Sequence, residues 1–427
     1  MFAGCTNLTA APNILPAEGK ATGYAFMFSG CTSLVKAPII KATGANGWQS
    51  MFATCQSLTD CPEIPAKNLD AQCYNSMFYG CTSLTSFPDH FDEAPWDGFS
   101  SMFNGCVGMK KPPKLNSLTT DLYCYRSMFT GCTGLTAAPE LPALTVLNNA
   151  YSGMFYGCTS LSTAPKLPAT TLGSNAYQDM FRGCTSLTSA PELPAGQLSN
   201  HCYYGMFREC RQLLDAPALS ARTLYPSCYR EMFYACSNMS GAPALPATDL
   251  AEACYQGMFR ECSSLTQGPS LPAGDPAKSC YSQMFRDCGG MHEAPVIGLS
   301  NLNAQWCCES MFEGTSVSSV TTQVTAWNGD ATDNWLRTVP ATGDFYCPAE
   351  LGTEATIERG EDRVPTGWRV YNDHEPLRFV TTSGCTVEMT AGEGQEYEAS
   401  TDGSSWARLE GPVQVPALGS LYVRAAG

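Results

Sequence analysis

The dipeptide Met-Phe recurs at positions 1, 27, 51, 77, 102, 128, 154, 180, 206, 232, 258, 284 and 311. The spacing is 24 to 27 residues, mostly 26, and the residues around each pair repeat with it. A fixed period of this size is the signature of a solenoid. Each unit is too small to bury its own apolar side chains and does so by stacking on its neighbours. Numbered by their methionines, the coils run from the first at Met1 to the thirteenth at Met311.

The unit is well represented by residues 180–205, MFRGCTSLTSAPELPAGQLSNHCYYG. Ahead of the next pair, Cys202, Tyr203, Met206, Phe207 and Cys210 fall at i, i+1, i+4, i+5 and i+8. That apolar stripe predicts a short helix. The glycine three residues after Met (Gly4, Gly30, Gly80, Gly131, Gly157, Gly183) then sits where a left-handed C′ residue would end it. Beyond it runs C-T-S-L-T-x-A-P-x-L-P, whose apolar positions Leu187, Ala190 and Leu193 are three apart, a spacing that resembles a leucine-rich-repeat strand more than regular alternation. A proline stands eleven residues after Met in every coil from the first to the twelfth, from Pro12 to Pro295. Proline donates no ladder hydrogen bond, so a parallel strand is expected to be short and confined to S-L-T. The expected fold class is an α/β repeat solenoid with one short parallel strand and one short helix per coil, followed by a small C-terminal β module.

Residues 1–326 read as the solenoid of thirteen coils. At the thirteenth, Thr315 replaces the cysteine and Ser318 the leucine, and the pattern fades through Trp327. Residues 327–371, with Trp335, Phe345, Tyr346 and Trp368 among Gly, Pro and Asp, read as an irregular cap with short strands. After a break at Asn372 to Glu375, residues 372–427 read as a small β-rich module with strand candidates Leu377–Thr381, Thr386–Thr390, Tyr397–Ala399 and Ser420–Arg424. Met1 falls inside a coil with no basic or apolar leader ahead of it. The chain is therefore expected to be a piece of a longer protein beginning mid-coil, and the module at its other end is open to truncation too.

The formal net charge is −15, of which residues 341–427 carry −8 from 14 acidic and 6 basic residues. Such a chain is a poor partner for nucleic acid or an anionic membrane. No run of 18 apolar residues is present, so no transmembrane segment is expected.

Of 23 cysteines, twelve form a column four residues after Met, from Cys5 to Cys288. Seven more lie four residues before it, from Cys73 to Cys307. Equivalent atoms on stacked coils are ~4.8 Å apart with parallel Cβ vectors, which is long for a disulfide. The four histidines are dispersed, so neither a metal site nor a cofactor is expected. The cysteines read as buried thiols acting as small hydrophobes. The invariant Phe column, one residue after Met, reads as core stacking.

Binding candidates belong to columns that vary. Two residues after Met stand Tyr156, Arg182, Arg208, Tyr234, Arg260 and Arg286, a composition typical of interfaces. Glu209, Glu231, Glu261 and Asp287 lie close enough in sequence to neutralise those arginines. Twelve residues after Met, Lys114, Glu140, Lys166 and Glu192 alternate in sign. That run reads either as a cross-strand charge ladder serving solubility and register, or, with Lys110 and Lys111 alongside, as a ligand-facing surface.

The coil is similar to the BspA-like leucine-rich repeats of bacterial surface proteins, whose pattern is A-F-x-x-C-x-x-L followed by an L/I-P step. Here Met-Phe replaces Ala-Phe, as in Met154, Phe155, Cys158, Leu161, Leu167 and Pro168. The 26-residue period is longer than the usual coil of that family, and its A-P step is unusual. Residues 342–370 resemble the segment that closes such arrays in surface proteins of gut anaerobes, and residues 375–427 a small β module found beside them. The resemblance implies an exported protein, on the cell surface or secreted, that works in adhesion or ligand binding. Host or matrix protein or polysaccharide would be the partner, and the protein is expected to be a monomer. Two readings follow. One is a recognition solenoid; the other is a structural spacer that displays a domain outside this chain. No G-x-S-x-G, H-E-x-x-H or phosphate loop occurs, so the chain is not expected to be an enzyme.

Overall fold

The computed structural model describes residues 2–11, 14–15, 23–40, 47–62, 64, 69–271, 274–299 and 301–372, and beyond them the strands of residues 377–425. The repeat stacks as a leucine-rich-repeat type solenoid, but each coil is built from turns and very short parallel pairings. Among the described residues no helix forms.

The stretch expected as a helix is a run of four-residue turns. In the eighth coil, Gln178, Met180, Arg182 and Cys184 each donate an amide N–H to the carbonyl three residues back, at 3.0–3.2 Å. The residues between them, Tyr177, Asp179, Phe181 and Gly183, donate instead to Cys202, Tyr204, Met206 and Arg208 of the next coil, at 2.8–2.9 Å. Left-handed residues recur every four positions, here Asn175, Asp179 and Gly183 with φ of 57°, 50° and 71°. Repetition every four residues returns side chains i, i+1, i+4, i+5 and i+8 to one side. A 3.6-residue helix would instead carry the i+8 side chain about 80° further round. The stripe in the sequence thus has a period of four, and half its amides bond between coils, a partner that local pattern cannot reveal. The glycine three residues after Met is left-handed as expected, though it is one of several left-handed positions and ends no helix.

The strands are short, as proline requires, but they lie elsewhere than expected. Single parallel bridges join the residue nine after Met on successive coils, such as Ala137 to Thr163 and Asp215 to Gly241. Two-residue parallel pairs lie past the proline, where Lys114–Leu115 pairs with His90–Phe91 and Thr171–Leu172 with Thr145–Val146. The S-L-T portion forms none of these strands. Beyond the proline ring, which lacks a donor, the backbone regains its N–H groups and can pair.

The core is a set of columns. Thirteen Phe rings from Phe2 to Phe312 stack continuously, with centroids 5.4–5.9 Å apart and planes within 3–8°. Three residues before Met a second stack runs from Tyr125 to Tyr281 at 5.7–5.8 Å, with 5.6 Å between Tyr203 and Tyr229. The thiols of the first cysteine column are more than fillers. From Cys31 to Cys288 each donates its S–H to the carbonyl of the Phe in the preceding coil, at 2.9–3.2 Å. At the thirteenth coil the Thr315 hydroxyl turns to Phe312 of its own coil, at 2.8 Å.

The boundary expected at residue 326 marks a change of side chains, while the stacking continues. Cys308 and Phe312 donate to Ala331 and Trp335, and Asn334 and Thr338 repeat the left-handed pattern. Trp335 and Leu336 take the places of Met and Phe and are buried. The parallel strands Ser319–Thr321, Gly343–Cys347 and Trp368–Asn372 pair in register at steps of 25 residues, Ser319 to Asp344 to Arg369. Residues 327–371 are therefore a regular continuation of the ladder. Within the last segment, Leu377–Val380, Ser420–Ala425, Tyr397–Ser400 and Ala407–Arg408 form one antiparallel sheet in that order. Cys385–Val387 pairs separately with Val413–Val415. The expected break after Asn372 lies outside the described residues.

Candidate recognition surface

The turn segment has an inner side, packed with the Met, Phe, Cys and Tyr columns, and an outer side formed by the left-handed residues and those next to them. Up to the eighth coil the outer position three after Met is glycine in all but one coil, the third, where it is Thr54. From the ninth to the twelfth it is Glu209, Ala235, Glu261 and Asp287, held at φ of 58–64°. Side-chain-bearing residues are disfavoured there by roughly 1–2 kcal/mol each. At Gly131 a Cβ would meet only ordinary contacts, 3.8 Å from Gly105, so conformation and not space is what glycine relieves.

The strained positions place carboxylates beside the Arg/Tyr column. Arg182 lies 3.7 Å from Asp179 and 3.4 Å from Glu209. Arg208 lies 3.2 Å from Glu209 and also pairs with Glu231, and its guanidinium sits 4.4 Å from the centre of the Tyr234 ring. Arg260 covers the same ring at 5.4 Å and lies 3.7 Å from Glu261, whose carboxylate accepts the Tyr234 hydroxyl at 2.7 Å. Arg286 is 3.4 Å from both Asp287 and Glu313. Arg182, Arg208, Tyr234, Arg260 and Arg286 are thus brought into one ladder across the coils. Each arginine already has a carboxylate partner within it. Burial raises the Asp179 carboxyl above its ordinary range, an effect Arg182 partly offsets.

The lysines lie apart from this ladder. Lys114 and Lys166 are exposed on the arm past the proline, as are Glu140 and Glu192, and Lys111 is exposed just before it. Among the described residues no ion pair joins Lys114, Glu140, Lys166 and Glu192. Alternating sign there balances charge without contact pairs.

Beside the arginine ladder lies a groove of about 540 Å³ that crosses the ninth to thirteenth coils. Its walls come from positions two, five and six before Met, among them Arg230, Glu252, Gln256, Lys278, Trp306 and Glu309. Lys278 reaches Glu252 at 3.3 Å and stands 5.6 Å from the Trp306 ring centre, while Arg230 stands 5.6 Å from the Tyr204 ring. Arg230 also lies 3.8 Å from Glu231, which joins groove to ladder. Reading columns from the invariant pair outward missed this groove and the buried tyrosine stack. The signal for the stack was present in Tyr125, Tyr151, Tyr177 and their repeats. The groove's signal, variable residues two, five and six before Met, becomes meaningful only once the turns place those offsets together.

The buried thiols of the first cysteine column are held protonated. Burial first, then neighbouring groups, pushes Cys55 up to about 12, and burial does the same for Cys132 and Cys288. Nucleophilic and metal-binding thiols need the thiolate. Among the described residues no group of three His, Cys, Asp or Glu could hold a metal ion. No helix among them is long and apolar enough to cross a membrane.

No curated protein sequence matches the chain. The chain is similar to several solved structures, two of which follow. A leucine rich cell surface protein from Faecalibacterium prausnitzii A2-165 is 14% identical, with a TM-score of 0.34, over 70% of this chain and 75% of its own. A TLR13–ssRNA13 complex is 11% identical, with a TM-score of 0.27, over 80% of this chain and 53% of its own. Six copies of the BspA type leucine rich repeat region match residues 1–102 and 99–240. With more than half its length matched in this way and its coils stacked as described, the chain belongs to the BspA-type leucine-rich-repeat family.

Proposed function

We propose that this chain is a non-catalytic recognition protein, on the bacterial surface or secreted, whose solenoid binds a host or matrix protein or polysaccharide as a monomer. The observation that carries the reading is the confinement of the acid-paired arginines, from Arg182 onward, to the later coils, on a stack whose Phe and Cys columns run through both regions. In the earlier coils the position two after Met holds Ala3, Ser29, Ala53, Tyr79, Asn104 and Thr130, none of them charged, so the stack does not require arginine there. Glu209, Glu261 and Asp287 take the left-handed position that glycine holds in most earlier coils, and so set carboxylates beside the arginines. The exported, adhesive role implied by the sequence resemblance fits the same reading.

One observation favours the spacer instead. All four ladder arginines have acidic partners inside the ladder, as a surface tuned for solubility would. Screening the whole chain against matrix proteins, mucins and polysaccharides separates the two, with Arg182, Arg208, Arg260 and Arg286 changed together to Ala alongside. The recognition reading expects a ligand whose binding is weakened at least tenfold in the variant. A folded protein that binds nothing in the screen would overturn it in favour of the spacer.

A further inference from the structure

We infer that the groove across the ninth to thirteenth coils is a binding site for a neutral carbohydrate chain lying along the solenoid axis. This rests on the recognition reading but concerns a different surface from the arginine ladder.

Charge is the first argument. The groove's two cations, Arg230 and Lys278, are balanced by two anions, Glu252 and Glu309. Glu252 is paired with Lys278 at 3.3 Å, and Glu309 accepts a hydrogen bond from the Ser282 hydroxyl at 2.9 Å. The balance leaves no net field to recruit a polyanion or a strongly charged peptide. It does leave many donors and acceptors near one another: two carboxylates, a guanidinium, an ammonium and the Gln256 amide. Such a mixed lining matches an uncharged ligand dense in hydroxyls, each of which both donates and accepts.

Backbone chemistry argues against an extended peptide. Peptides that add to a β structure need unpaired main-chain groups at an edge. Along the groove, Ser227, Ala253 and Ser279 have their N–H groups committed to Glu252, Lys278 and Gln305 of the adjoining coils, at 2.9–3.0 Å. A peptide would find side chains but no ladder to join.

The third argument is Trp306. It ends the groove at the thirteenth coil, keeps 36% of its surface exposed, and its backbone is left-handed with φ 54°. The interior holds its aromatic residues in closed stacks, whereas this large ring stands at the surface, on a left-handed position that recurs in the other coils. An exposed indole offers a flat apolar face to the C–H side of a sugar ring, and the polar groups around it can take the hydroxyls. With four coil steps of ~4.8 Å, the groove is about 19 Å long. Its 540 Å³ lies within the roughly 300–1,000 Å³ of sites that enclose small ligands.

The test is calorimetric titration of the whole chain with cellohexaose, xylohexaose, mannohexaose and maltohexaose, and with heparin as the anionic comparison. Trp306→Ala, Trp306→Tyr, Glu309→Gln and the four-arginine variant are titrated beside it, each checked for an unchanged melt. Binding of at least one neutral hexasaccharide is expected. Its affinity should fall at least tenfold in Trp306→Ala and recover in part in Trp306→Tyr. Absence of neutral-sugar binding by folded protein overturns the proposal, and so does sugar binding indifferent to both Trp306 and Glu309. Heparin binding alone, lost in the four-arginine variant, would overturn it as well while leaving the recognition reading standing on the ladder.

Discussion

The second to sixth coils and the ninth to twelfth share one interior and differ almost wholly on the outer side of the turns. Phe52 and Phe233 sit in the same stack, 5.6 and 5.7 Å from their neighbours. Cys81 and Cys262 donate to equivalent carbonyls. Outside, the early coils carry mostly glycine at the left-handed position after the pair, and three of the four later ones carry glutamate or aspartate with arginine beside it, the tenth carrying Ala235 beside Tyr234. The difference teaches that in a stack of this kind stability belongs to columns running the length of the molecule. An outer face can then change coil by coil, even at some cost in backbone strain, without disturbing the fold.

The largest test treats both regions together. The thiols of Cys55, Cys132 and Cys288 have ordinary values of 9.0 and are pushed up to about 12 by burial. Between those values the unfolded chain releases protons that the native chain keeps. Stability is therefore intact below about pH 9 and is lost as pH climbs toward 12, by up to about 1.4 kcal/mol per thiol for each pH unit. Under reducing conditions, melts followed by circular dichroism should drop sharply between pH 8.5 and 10.5. Because the columns are continuous, hydrogen exchange should report both regions opening over the same range. A later region that outlasts the earlier one would break the claim of a shared interior.

A smaller effect compares the columns directly. Phe103→Ala and Phe233→Ala should each cost about 3–5 kcal/mol in urea unfolding. Values for the two that differ by more than about 1 kcal/mol would show that the outer ladder reinforces the later interior.

The glycine position sharpens the contrast at the next scale. Gly131→Ala should destabilise by roughly 1–2 kcal/mol through backbone conformation alone. Glu209→Gly should do the reverse, by about 1 kcal/mol or less, since it relieves the left-handed residue but removes the partner of Arg182 and Arg208. Thermal melts of the two variants decide whether that strain is present. Destabilisation by Glu209→Gly would mean that the ladder's ion pairs outweigh it.

The smallest effect is ionic. The ladder pairs are partly exposed and each contributes about 0–1 kcal/mol. Raising salt from 0.05 to 1 M should lower exchange protection in the later coils slightly and leave the earlier ones unchanged. An equal response in both regions would show that the ladder does not stabilise its own stretch.

Much of this was legible in the chain itself, for a physical reason that the helix error makes plain. Apolar residues at Cys202, Tyr203, Met206, Phe207 and Cys210 correctly marked the buried side, because burial depends on periodicity alone. They did not say what backbone produced that periodicity. A period of four and a helix look alike over nine residues, and the deciding hydrogen bonds, such as Phe181 to Met206, join residues 25 apart in sequence. The strands were displaced for a similar reason. Proline correctly limited their length, but whether pairing falls before or after it depends on how one coil meets the next. Beyond residue 326 the Met-Phe signal fades while stacking goes on, because Trp335 and Leu336 fill the same space with different side chains. At the candidate site, the Arg/Tyr column and its acidic neighbours were visible as a pattern. The groove that ends at Trp306 was not.

By itself, the sequence determined that the chain is a stack, which columns lie inside it, and where the outer face changes character. Repetition carries that information, since residues of one type at one offset must share one environment. Only the tertiary structure decided that the turns replace a helix, that each column thiol bonds the preceding coil, and that Arg230, Gln256, Lys278 and Trp306 line one groove. Those features are made between coils, by groups about 25 residues apart, and their partners exist only once the coils have stacked.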